Sequence, residues 1–138
     1  MDKGTRIYAG LLLAVVIALV LSARYQPADV RALNGLLKDD PELSAYPYPF
    51  RVLRLEAGTA VMSTPRSATM PVQRMIGAVE SVAAGLPDND PVYLRAQQRL
   101  ADTQARAREL VLADPAVMRV RWELDEAWLA RRGIQLLQ

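Results

Sequence analysis

Residues 116–124 read AVMRVRWEL, and their alternation decides the fold class of the chain. Ala116, Met118, Val120, Trp122 and Leu124 fall on one side of an extended strand, and Val117, Arg119, Arg121 and Glu123 on the other. A strand with one apolar and one charged face belongs to a sheet that is covered on one side and wet on the other. The pattern therefore predicts a small, mainly antiparallel sheet of about three strands with helices over its apolar face, an α+β domain of two layers.

The neighbouring sequence supplies the rest of that domain. Residues 125–132 predict a short helix that stops at Gly133, a residue suited to a left-handed C-cap. Upstream, Asp90-Pro91 marks a helix start and Asp114-Pro115 a stop, with Tyr93, Ala96, Leu100, Ala107, Leu110 and Val111 along the stripe between them. On that helix Asp102 stands four residues before Arg106, the spacing of an intrahelical ion pair. Val72, Met75, Ile76, Val79, Val82, Ala83 and Leu86 predict one earlier amphipathic helix of about four turns. Residues 50–64, FRVLRLEAGTAVMST, predict a hairpin with strands over 50–56 and 60–64 around Gly58, Leu53 and Leu55 sharing one face and Phe50 and Val52 the other. Before it, SAYPYP over 44–49 is an extended connector whose prolines deny ladder hydrogen bonds, and 27–38 predicts a helix with Val30, Leu33 and Leu37 on one side.

Residues 7–23, IYAGLLLAVVIALVLSA, carry no charge and follow Lys3 and Arg6. As a helix they rise about 25 Å, near the thickness of a bilayer's hydrocarbon core. A transmembrane anchor is the favoured reading, because the run is long, Leu21 is a poor residue three before a cleavage site at Ala23, and Arg24-Tyr25 suits an interface. A signal peptide cleaved near Ala23, giving a secreted protein, is the competitor. Lys3 and Arg6 before the segment and a long soluble part after it suggest a signal anchor in the inner (cytoplasmic) membrane, with the domain on the periplasmic side. The expected organisation is thus 1–24 tip and anchor, 25–49 helix and connector, and 50–138 soluble domain. Gly10, Ala14, Ala18 and Ser22 recur every four residues, a spacing that lets transmembrane helices pack closely.

Two absences limit the chemistry. The chain has no His and no Cys, which removes the usual general base, the commonest metal ligands, disulfides and a lipid-modified N-terminal cysteine. A net charge of +2, with 23% charged residues and no basic run interleaved with aromatics, offers nothing to nucleic acid.

The run VLRLEAGTAVMSTPRSATMPVQRMIGAV, followed at a distance by DPAVMRVRWELDEAWL, resembles small single-span bacterial proteins that lack an established function, over residues 50–132. Some of these carry the label glutamate-ammonia ligase adenylyltransferase. Nucleotidyl transfer of that kind needs a Gly-Ser turn for phosphates and an Asp-x-Asp pair for two metals. This chain has no Gly-Ser, and its Asp88-Asn89-Asp90 reads as turn and helix cap rather than as that metal-binding pair or a weak calcium site.

Three groupings remain as candidate chemistry. Ser63, Thr64, Arg66, Ser67 and Thr69 precede a helix and could hold an anion, although a strand end, a turn and a cap use the same residues. Glu123, Asp125 and Glu126 lie beside Trp122 and Trp128, as in sugar-handling sites, or simply cap and charge the start of a helix. Lys38 is the one lysine outside the membrane-proximal end that a Ser-Lys dyad could use, and no particular serine is paired with it. The expectation is a non-enzymatic, membrane-anchored envelope protein without cofactor or metal, whose domain binds another envelope or membrane protein or a second copy of itself. The alternative is a small-ligand or anion-binding domain, or an enzyme, using the 63–69 loop or the carboxylate cluster.

Overall fold

The computed structural model describes residues 2–24, 27–68 and 70–134, with the side chains of 22–24 outside the description. Along the chain lie α1 (Lys3–Arg24), α2 (Ala28–Asp39), α3 (Pro41–Ala45), β1 (Val52–Glu56), β2 (Thr59–Thr64), α4 (Val72–Val79), a single 3-10 turn (Ser81–Ala83), α5 (Pro91–Leu112), β3 (Arg119–Leu124) and α6 (Glu126–Arg131). The domain is α+β: a three-stranded sheet packed on helices, preceded by one apolar helix.

The sheet order is β1-β2-β3, and only half of it is antiparallel. β1 and β2 form the hairpin, joined by Ala57 and Gly58 with φ of +47° and +82°, the two positive angles of a tight primed turn. Ala57 occupies a left-handed region that favours glycine or asparagine there. β2 and β3 instead run parallel, correcting the antiparallel expectation. The cause lies in the connection: α4, the 3-10 turn and α5 carry the chain back over the sheet before β3 begins, and such a crossover returns a strand in the same direction.

Three local expectations also need correction. A bulge between Val52 and Arg54 breaks the hairpin's two-residue period, so Val52 and Leu55 both join the core. The helix over 72–86 ends at Val79: Glu80 is extended, and the chain turns so tightly that a Cβ on Gly77 would lie 3.0 Å from the Ala84 backbone. The 116–124 alternation holds only from Arg119, since a turn from Asp114 to Val117 buries Val117 and leaves Met118 exposed.

Within β3 the pattern is as expected: Arg119, Arg121 and Glu123 are exposed, while Val120, Trp122 and Leu124 are half-buried on the core side. That core gathers Val30, Leu33 and Leu37 of α2 with stripes of α4 and α5, around a fully buried Tyr48. Phe50 and Trp128 meet the Tyr48 ring edge-on at 4.9 and 5.0 Å. The aromatic connector therefore fills the core.

Candidate functional site

The residues of the 63–69 loop do not converge on one another. Ser63 is fully buried in β2, where its hydroxyl accepts from the Arg51 amide at 3.3 Å. Thr64 is also buried, and its hydroxyl donates to Gln104 of α5 at 3.0 Å and accepts from the Arg66 amide at 3.2 Å. Both hydroxyls thus fasten the strand end to its surroundings. Arg66 is exposed, beside a groove of about 310 Å³ whose wall includes Val72, Met75, Leu94 and Gln98. No described carboxylate pairs with the Arg66 guanidinium. Thr69 lies outside the described residues, as does the side chain of Ser22.

Strand geometry also separates the carboxylates of 123–126. Glu123 points to the wet face, where Arg54 grips it through two guanidinium nitrogens at 3.0 and 3.3 Å and holds its carboxyl below the usual range. Asp125 points inward and is 6% exposed. Glu126 stands exposed in the first turn of α6. Among the described residues no group of three or more acids is placed to hold a metal ion.

Asp125 proves to be a hub. Its carboxylate caps α6 by accepting the Trp128 amide at 3.2 Å, accepts the Tyr48 hydroxyl at 2.8 Å, and lies 3.5 Å from Arg51. Its own amide donates to the Thr64 carbonyl at 2.8 Å. Burial pushes the Tyr48 hydroxyl well above its ordinary pKa; Ser63 works against that rise and Asp125 adds to it. A neutral, hydrogen-donating tyrosine on a buried carboxylate is a structural lock.

Two further polar locks were not foreseen. Asp40, 7% exposed, caps α3 through the Leu43 amide at 3.2 Å and takes two bonds from Arg106, at 2.8 and 3.2 Å. The Arg106 guanidinium holds its carboxyl below the ordinary range. Arg106 therefore ties α5 to the α2–α3 junction instead of pairing with Asp102, which accepts from Gln98 at 2.8 Å. Glu80, after α4, is gripped by Arg99 of α5 through both carboxylate oxygens. Near this pair the Tyr46 hydroxyl is buried without a hydrogen-bond partner among the described residues, and burial pushes its pKa up, with Glu80 adding to the rise. These locks join residues 19 to 77 positions apart, beyond the reach of any local spacing rule.

Asp90 caps α5 through the Val92 amide at 2.8 Å, as expected of a helix start. Lys38 sits in the last turn of α2.

The apolar segment forms α1. Lys3–Leu21 has a mean hydropathy of 2.2 and no part of it is buried against the described chain, so Gly10, Ala14 and Ala18 are exposed with everything around them. By length and composition this helix can cross a bilayer.

Compared with protein-family models, curated proteins and solved structures, the chain matches none.

Proposed function

We propose that the chain is a single-span membrane protein whose α+β domain acts by binding protein rather than by catalysis. The observation that carries this reading is α1, a helix of apolar residues with nothing of the described fold against it. Left in water, such a surface is far larger than a soluble monomer tolerates; in lipid it is matched. The domain adds support, since its buried acids are engaged in caps, ion pairs and a tyrosine bond. Basic residues flank the span on both sides, Lys3 and Arg6 before it and Arg24, Arg31 and Lys38 after it. The orientation therefore rests on the very short basic N-terminus ahead of a long soluble part, which favours keeping that end in the cytoplasm with the domain on the outer side of the membrane.

The chain's lack of cysteine makes the test clean. Membranes carrying a Val82→Cys variant, a position 70% exposed, are washed with alkaline carbonate and labelled with an impermeant maleimide. Retention through the wash, with labelling of intact spheroplasts, is the expected result. Release into the wash removes the anchor, and labelling only after lysis reverses the orientation.

A further inference from the structure

The two edges of the sheet are finished differently. At β1, the Asn34 carboxamide of α2 takes both outward main-chain groups of Val52, accepting its amide at 2.7 Å and donating to its carbonyl at 3.0 Å. A side chain thus stands where another strand would pair. At β3, the amides of Arg119 and Asp125 donate inward to Gly58 and Thr64. By strand alternation the amides and carbonyls of Val120, Trp122 and Leu124 face the other way. Among the described residues nothing hydrogen-bonds to them.

An open edge usually carries charges that repel a second strand. Here the charges select one. In an antiparallel pair of two β3 strands, the outward-facing residues 120, 122 and 124 must lie opposite one another, so a two-fold axis through Trp122 sets Val120 against Leu124, Trp122 against Trp122, and Arg121 against Glu123 in each direction. Centring on Arg121 or on Glu123 opposes like charges, and centring on Val120 sets Arg119 against Arg121. Of these registers only the one about Trp122 sets Arg121 against Glu123 and opposes no like charges, and it also covers the half-buried Trp122 ring.

Resting on the reading of the domain as a protein-binding module, we infer that its partner is a second copy of this chain, joined through antiparallel β3–β3 pairing about Trp122 into one six-stranded sheet. The pairing forms about six main-chain hydrogen bonds and two cross-strand ion pairs. An interface of this size is small for free solution, and confinement of both copies to one bilayer raises their effective concentration.

The test measures energy transfer between full-length chains in phospholipid vesicles, labelled at Val82→Cys and diluted in lipid. Wild-type chains show transfer. Chains with Arg121→Glu, or with Glu123→Arg, each place like charges opposite and associate about tenfold or more weakly. An equal mixture of the two variants restores every opposite-charge contact and regains transfer, which a merely damaged fold would not do. Val120→Pro removes one outward amide, leaves the β2 ladder intact and abolishes transfer, with circular dichroism confirming the fold. The inference is overturned by absence of wild-type transfer, or by transfer that the charge variants leave unchanged, which places the contact elsewhere, such as along α1. Retention of the chain in vesicles through a carbonate wash reports on the anchor separately, so failure of pairing and failure of the membrane reading are distinct results.

Discussion

At the β1 edge the Asn34 carboxamide answers both exposed main-chain groups of Val52, and α2 packs along the strand. At the β3 edge three residues face outward with no described partner, although the strand is firmly held at its end by Asp125. The contrast teaches that this domain does not lack means of closing a strand; it closes one edge at Val52 and secures the end of the other without covering it. Fixing the end of an open edge keeps its register constant, and a constant register is what strand pairing with a partner requires.

The largest effect should come from releasing that end. Asp125→Ala strips the α6 cap, leaves the buried Tyr48 hydroxyl without its acceptor and removes the Arg51 partner, which together should lower stability by about 3 kcal/mol. Denaturant unfolding of the domain gives the value. Asp125→Asn keeps the α6 cap on its one amide oxygen and turns an NH2 donor toward the Tyr48 hydroxyl, which must then accept instead of donate. It should cost clearly less than alanine, and equal losses for the two variants would show that the cap does not hold the β3 end.

A smaller loss is expected at the closed edge. Asn34→Ala leaves the amide and carbonyl of Val52 to water or to another chain, at a cost of about 1 to 2 kcal/mol. It also turns β1 into a second open edge, so the variant should self-associate in a manner that Arg121→Glu does not suppress. Sedimentation of the two variants separately and combined measures this; association abolished by Arg121→Glu would mean that Asn34 guards nothing.

The difference between the edges also marks how far the sequence could be read. β3 was legible because Arg119 to Leu124 alternates within six residues, and the caps Asp90 and Gly133 act on the turn beside them. The parallel β2–β3 pairing was not, because nothing in AVMRVRWEL records that two helices return the chain to the same end of the sheet. Nothing in the helical spacing of 27–38 singles out Asn34, yet its carboxamide meets Val52 eighteen positions on. Likewise Asp125 announced its cap on α6 but not its bond to Tyr48, since only the folded core brings the connector beneath α6. In the 63–69 loop the density of hydroxyls was real, and burial of Ser63 and Thr64 gave them hydrogen-bonding partners within the fold.

The smallest effect separates the edges by pH. Glu123 of β3 faces Arg54 across β2, Arg54 also bonds Glu56, and Arg121 lies two residues away on the same face. Arg54 holds the Glu123 carboxyl below its ordinary 4.5, so the ion pair's contribution is complete above that value and is lost as pH falls through the lower folded-state value. Both partners are substantially exposed, which keeps the effect on unfolding slight. Thermal melts of wild type and Glu123→Gln should differ by a constant amount above about pH 4.5 and converge below it; a difference that grows on acidification would reverse the assigned sign. The same protonation removes the negative charge that β3–β3 pairing sets opposite Arg121, whereas the Asn34–Val52 bonds do not titrate. Acid should therefore part the copies while leaving the β1 edge closed, and energy transfer followed alongside amide exchange at Val52 can resolve the two events.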